Sequence, residues 1–385
     1  METTEGLAGL DCLSCATTTD ATTDRCPDCG GILDPVYDDA TLERVHQTVR
    51  EDGEQAHVLP FDDPVTLGEG GVTLVDAPEL ATEIGAGRVL VADEGHNPTG
   101  GLVDRELSVA VTAAREAGVE TVALPTSGNG GQAAAAYAAR AGLDAECFVP
   151  SRSVFANKAM INVHGGEMSV VGGRYPDATE VFAEASADED WYSLAPFETP
   201  YRHEGAKTLA YDLLADLDDA PDAVVHPTSH GTGLYGLTKG FREFVDTGHL
   251  DAAPRLYAAQ PEGCAPLVDA DEDEAAKPTP VEHPDTICGA LEVPDPSGGH
   301  LVLDALAETG GAAVAVEDDA ILEGAASLAA AGIPLSATGG AAAAGAQTLA
   351  DDGAFDGDET VVLVNPATAN READILRSHL MKQGI

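Results

Sequence analysis

From residue 88 onward, short apolar runs alternate with longer segments of helical period, and this alternation restricts the chain to few architectures. Runs at 121–124, 144–149, 167–171, 223–226, 255–259, 312–316 and 360–364 read as strands. Segments at 105–117, 131–141, 154–164, 175–187, 203–217, 234–246, 318–331 and 371–382 read as helices. Strands that take turns with helices predict mostly parallel sheets covered by helices on both faces, an α/β fold. Residues 38–87 predict a helix from Ala40 to Arg50, then an irregular lead-in containing Leu67 to Gly71. The run from 265 to 300 is richer in Pro, Asp and Glu, which predicts a surface loop with short helices.

A chain of 385 residues buries a sizeable core and should form two or three units. Its 44% hydrophobic content with only 4% aromatics suits close helix–sheet packing rather than disorder. The formal net charge is -48, with the acidic residues spread along the whole chain. Such a surface repels itself unless salt screens it, so a halophilic cytoplasm is the expected setting. The same charge argues against nucleic acid or an anionic membrane as partner. No apolar run reaches transmembrane length and the N-terminus lacks a signal-like region, so a soluble cytoplasmic protein is expected.

Four of the seven cysteines form two closely spaced pairs, Cys12 with Cys15 and Cys26 with Cys29. Each pair can make a metal knuckle, and four thiolates complete a tetrahedral Zn²⁺ shell. A redox pair is the competing reading, but two such pairs in one short stretch favour a structural zinc ribbon over residues 1–36.

The chemistry-bearing stretch is His96 to Leu107, HNPTGGLVDREL, between the β-branched run Arg88 to Ala92 and a helical segment. A Gly-Gly turn at that junction lets backbone approach a ligand closely. Asn97-Pro98-Thr99-Gly100 with Asp104-Arg105 resembles the signature of the pyridoxal-phosphate enzymes of the threonine synthase, threonine dehydratase and cysteine synthase family. The resemblance continues through Thr126-Ser127-Gly128-Asn129 before an alanine-rich helix, and through the exit from the ribbon, Leu33 to Asp38. It implies a tryptophan synthase beta-like fold of two domains with a cleft between them. The implied boundaries are a ribbon at 1–36, a large domain at 37–119 and 199–385, and a small domain at 120–198.

What the resemblance implies for each part of the site differs. Ser127, Gly128 and Asn129 would anchor a substrate carboxylate. The family's phosphate loop would lie at 227–233, where Ser229, Gly231 and Gly233 remain able to bind an anion. Asn97 would approach the cofactor, and Asn365 stands where a pyridine partner is expected. The Schiff-base lysine position holds Val103, and Gly101 and Leu102 depart from the signature with it. Valine forms no aldimine and shuttles no proton, a function that alone contributes roughly 10²–10⁴-fold to such reactions. Lys207 matches a lysine that relatives carry beside the catalytic one, and therefore reads as structural.

The resulting expectation is a catalytically degenerate protein that binds an amino acid or phosphorylated metabolite, with structural zinc; pyridoxal phosphate is the cofactor that the resemblance implies. One alternative is an active amino-acid lyase or threonine synthase-type enzyme using a relocated lysine or a non-covalent cofactor. The other is a regulatory partner of an active paralogue, or a homodimer.

Overall fold

The computed structural model describes residues 1–53, 56–382 and 384. The chain forms two compact units, each assembled from separate stretches of sequence. The first comprises Met1–Gly71, Val103–Asp216 and Lys239–Asp251; the second comprises Val72–Leu102, Leu217–Thr238 and Ala252–Ile385.

The second unit is built on a six-stranded sheet. Its order is Ala312–Val316, Arg255–Pro261, Ala223–Pro227, Thr360–Asn365, Arg88–Asp93 and Thr73–Asp76. The first five strands are parallel, and Thr73–Asp76 closes one edge antiparallel to Arg88–Asp93. Successive residues of each strand point to opposite faces. Val89, Val91, Val225, Tyr257, Ala259, Val361 and Leu363 face a core shared with helices Pro78–Ile84, Asp318–Ala330 and Ala337–Asp351. The alternate residues Leu90, Ala92, Val224, Leu256, Ala258, Val362 and Val364 are equally buried. Both faces are therefore covered, as the continuous apolar strands require.

The first unit carries a four-stranded parallel sheet in the order Glu167–Val171, Asp144–Pro150, Thr121–Pro125, Tyr192–Ser193. Helices Val103–Ala117 and Asn129–Ala141 pack on one face through Leu107, Val111, Ala134 and Tyr137. Phe148 and Phe182 meet on the other. At its start, Leu7–Cys12 pairs antiparallel with Thr18–Thr19 and Leu33–Tyr37.

Several expectations need correction. The helix expected at 203–217 is two, Tyr201–Ala206 and Thr208–Asp216; the break falls at Lys207, whose ammonium bonds Glu204 and Glu243. The 265–300 run is not only surface: Cys288, Leu291 and Val293 are buried and the first two join the main core. A few apolar pins suffice to dock a segment whose average composition is polar. Strand Thr73–Asp76 and helix Pro78–Ile84 fall in the lead-in expected to be irregular, and two helices went unanticipated, Gly299–Thr309 and, more instructively, Ala337–Asp351. Its glycines and alanines are buried around most of the circumference, so no apolar stripe marks the helical period.

Candidate functional site

In the second unit, strands Arg88–Asp93, Thr360–Asn365 and Ala223–Pro227 are parallel neighbours. The segments after them, holding Asn97, Asn365 and the 228–233 loop, therefore emerge at one edge of the sheet. The carboxyl ends of parallel strands are where such folds bind ligands.

Two of these segments are zipped together. Leu102 N donates to Pro366 O at 2.9 Å, and Thr368 N donates to Gly100 O at 2.9 Å. Arg371 donates to the carbonyl of Thr99 and, at 3.2 Å, to its hydroxyl. Gly100 has φ +90°, and a Cβ there would stand 2.9 Å from Thr368 Cγ2, so the turn requires glycine. Asn97 is buried and its amide donates to the carbonyl and carboxylate of Glu94 at 3.1 and 2.7 Å. Asn365 is fully buried and engaged at both ends. Its Nδ2 donates to Asp93 Oδ1 at 2.8 Å, while its Oδ1 accepts from Ser336 N and Oγ at 3.1 and 3.0 Å. Asn365 thus locks the strand end to the cap of helix Ala337–Asp351.

The 228–233 loop leads into helix Thr232–Asp246. Gly231 has φ +96° and faces Val302, whose Cγ2 would lie 2.4 Å from a Cβ. Gly233 faces His226 and Leu102: a Cβ would stand 2.8 Å from His226 Nε2 and 3.0 Å from Leu102 Cδ2. The Ser229 hydroxyl has no hydrogen-bond partner among the described residues, which leaves it available beside the helix N-terminus. His230 is docked against Ser297, 3.1 Å between Nδ1 and Oγ.

His226 is a residue that the sequence reading missed. Thr228 Oγ1 donates to the His226 carbonyl at 2.9 Å and lies 3.3 Å from Nδ1, so Nδ1 carries the proton and Nε2 the lone pair. Nε2 is buried without a hydrogen-bond partner. Burial pushes the imidazole down to about 4, so it is neutral near pH 7. The available signal was a histidine inside a strand otherwise wholly apolar.

In the first unit, the expected carboxylate anchor follows strand Thr121–Pro125. Thr126 Oγ1 accepts from Gly128 N and Gly131 N, both at 3.0 Å, and so shapes the turn from within. Gly128 adopts φ 128° as the cap of helix Asn129–Ala141. Ser127 is half-buried, and its hydroxyl is unengaged among the described residues. Asn129 Oδ1 accepts from Asn157 Nδ2 at 2.8 Å.

Val103 opens helix Val103–Ala117 and packs, partly buried, against the core of the first unit. The chain has five lysines. Lys207 and Lys239 are buried in one ionic cluster. Lys207 Nζ lies 2.5 Å from Glu204 and 2.9 Å from Glu243; Lys239 Nζ lies 2.8 Å from Asp34 and 2.6 Å from Glu204. Tyr37 donates to Glu204, and Tyr211 donates to Glu243 at 2.6 Å. Burial would raise the Asp34 carboxyl, but Lys239 and His203 overcome it and hold it well below the ordinary range. Burial would lower the Lys239 ammonium, and Asp34 with Glu204 raise it instead. Lys158 donates to the carbonyl of Ser151 at 2.7 Å, and Lys277 and Lys382 are exposed.

The thiol sulfurs of Cys12, Cys15, Cys26 and Cys29 all lie within 4.8 Å of one another, with separations of 3.5 to 3.6 Å among three of the pairs. A tetrahedron with Zn–S of about 2.3 Å has edges of roughly 3.8 Å, so the cluster is compatible with a zinc ribbon. Among the described residues, no helix is long and apolar enough to cross a membrane.

Residues 65–367 match the family model described as pyridoxal-phosphate dependent enzyme. The threonine synthase of Methanosarcina acetivorans is 34% identical across 92% of this chain and 90% of its own length. That of Methanocaldococcus jannaschii is 32% identical across 90% and 88%. Among solved structures, a fungal L-serine ammonia-lyase from Rhizomucor miehei matches with a TM-score of 0.71 at 18% identity, covering 83% of this chain and 99% of that one. Maize serine racemase matches with a TM-score of 0.69 at 15% identity, covering 90% and 98%.

Proposed function

We infer, for a chain that belongs to the pyridoxal-phosphate-dependent enzyme family, a role that no longer runs through the family's covalent cofactor link. The chain is threonine synthase-like. In our reading it is catalytically degenerate and binds an amino acid or a phosphorylated metabolite at the loops that end its parallel strands.

The observation that carries this reading is the whereabouts of every amine. Val103 begins the helix at the position that the family signature gives to its Schiff-base lysine. Lys207 and Lys239 are each held by two buried carboxylates, so neither can present a free, nucleophilic amine without leaving those charges uncompensated. Lys158 donates to the Ser151 carbonyl at 2.7 Å, and Lys277 and Lys382 stand on the surface. The residues present do not fit a covalently held pyridoxal phosphate. The engagement of Asn365 by Asp93 and Ser336 also ties its amide to the strand end and the helix cap rather than to a ligand.

What remains is suited to anions. Ser127 and the start of helix Asn129–Ala141 offer a hydroxyl and backbone N–H groups for a carboxylate. Ser229, Gly231 and Gly233 offer the same chemistry before helix Thr232–Asp246. Cys12, Cys15, Cys26 and Cys29 would hold a structural zinc ion.

The test is an absorbance spectrum of the protein in multimolar potassium chloride with added pyridoxal phosphate, followed by borohydride and peptide mapping. The expected protein stays colourless and unmodified within its folded core, while amino acids or their phosphate esters raise its thermal midpoint. A cofactor fixed stoichiometrically to Lys158, Lys207 or Lys239 would overturn the reading.

A further inference from the structure

Asn157 and Ser153 carry polar atoms that neither the fold nor the proposed anion sites use. Ser127–Asn129 follow strand Thr121–Pro125, and residues 151–157 follow its parallel neighbour Asp144–Pro150. Asn157 is only 3% exposed. Its side chain lies against the cap of helix Asn129–Ala141: a Cβ on Gly128 would stand 2.9 Å from Asn157 Cβ and 3.0 Å from its Nδ2. That Nδ2 donates to Asn129 Oδ1 at 2.8 Å. The other end of the amide, Oδ1, is buried with no donor, and so is the hydroxyl oxygen of Ser153, four residues earlier in the bend before helix Phe155–Val163.

The same corner holds unused donors. Thr126 Oγ1 takes the N–H groups of Gly128 and Gly131. The N–H groups of Asn129 and Gly130, in the first turn of a helix, have no acceptor among the described residues. Ser127 adds a hydroxyl. Donors suited to an anion therefore lie beside an acceptor suited to a cation, and Asn129 and Asn157 touch directly.

We propose that Asn157, backed by Ser153, accepts the α-ammonium of an amino acid whose carboxylate sits on Ser127 and the first N–H groups of helix Asn129–Ala141. An α-amino acid separates its two charged groups by a single carbon, so one small zwitterion spans both sets. The inference rests on the proposed function, because an amine that forms no aldimine stays free and cationic and needs an acceptor of its own. A buried amide oxygen is an acceptor only, which selects for a donor at that position. The site thus discriminates amino acids from the corresponding hydroxy acids.

Isothermal titration with L-threonine and with its des-amino hydroxy acid tests this, in multimolar potassium chloride. The wild type is expected to bind threonine more tightly by about tenfold or more, the range for a hydrogen bond to a charged group. Asn157→Leu, of similar volume, should reduce that preference to within roughly twofold, whereas Ser127→Ala should weaken both probes alike. Should Asn157→Leu fail to unfold cooperatively, Asn157→Ser and the wild-type preference decide the matter. Equal binding of both probes by the wild type, or a preference that survives loss of Asn157, would overturn the assignment and leave the proposed function standing. A wild type that binds neither these probes nor phosphorylated amino acids would overturn both.

Discussion

Lys239 sets its ammonium 2.8 Å from Oδ1 of Asp34, joining helix Thr232–Asp246 to the strand with which the cysteine-bearing segment ends. The same ammonium lies 2.6 Å from Glu204, so one buried cation serves two buried carboxylates. Removing it would leave Asp34 with His203 and Glu204 with Lys207 alone, one cation short in a buried cluster. Lys239→Met is therefore expected to cost about 3–5 kcal/mol, the range for breaking a buried pair from one side. Chemical denaturation at fixed salt would measure it. A loss under about 1 kcal/mol, the worth of a surface pair, would mean that water reaches the cluster.

Buried histidines set a second window, in pH. His226 titrates near 6.5 when unfolded and is pushed down to about 4 by burial in the folded chain. Its folded value is the lower, so its contribution is complete above the unfolded value and is lost as pH falls toward the folded one. That contribution is roughly 3 kcal/mol between those limits. His46, lowered to about 3 by burial and by Lys207, adds to the same slope. Asp34 acts lower still: its depressed carboxyl stabilises the fold above the ordinary carboxylate range and ceases to do so as pH drops through it. Replacing His226 with Gln should flatten the stability profile between pH 6.5 and 4 without altering it near neutrality. An unchanged slope would show that the imidazole is already solvated.

Much of this was legible in the sequence, and the failures share a cause. The central strands of both sheets showed themselves because their residues are buried on both faces and are almost purely apolar, as in Val361 to Val364, whereas the short edge strands Thr73–Asp76 and Tyr192–Ser193 did not. The four cysteines were legible because ligand type and spacing are local properties. Helix Ala337–Asp351 was not, since alanine and glycine give no periodic contrast. Asn365 was legible as a departure from a family signature, but its engagement with Asp93 and Ser336 depends on strand register, which no local pattern encodes. His226 and Asn157 were missed for the same reason. Each is an ordinary polar residue until the fold packs it against a glycine and leaves one of its atoms unsatisfied.

The ribbon offers a test by metal removal. Cys12 and Cys26 are buried and Cys15 and Cys29 exposed, so a chelator reaches the cluster from one side. One equivalent of zinc per chain is expected, released by a mercurial and counted with a colorimetric chelator. Cys26→Ser should abolish that release and lower the thermal midpoint, since structural zinc contributes folding free energy directly. A protein that releases no zinc, and whose midpoint Cys26→Ser leaves unchanged, would sink the assignment.

Net charge predicts the effect of salt. At -48 the surface repels itself, and screening shortens from about 10 Å at 0.1 M salt to about 3 Å at 1 M. The thermal midpoint should fall steadily as potassium chloride is lowered, with the exposed acidic faces responsible rather than the buried pairs. A midpoint independent of salt would argue that the charge is merely tolerated.

A close helix–helix approach at a glycine of the first unit gives the sharpest mutational test. Gly205, on helix Tyr201–Ala206, lies against helix Val103–Ala117: a Cβ there would stand 2.1 Å from the Arg105 carbonyl oxygen and 2.9 Å from Glu106 Cα. Both obstacles are backbone, so no rotamer change relieves the clash, and the two helices must separate. Separation would strain the Arg202–Glu106 contacts and the 2.6 Å pair of Arg105 with Asp212, which lie on either side of the crossing. Gly205→Ala is expected to cost more than the ~1–3 kcal/mol of ordinary overpacking, although alanine has the higher helix propensity. Urea denaturation would decide between the two effects. A variant as stable as the wild type would mean that the helices do not cross this closely in solution.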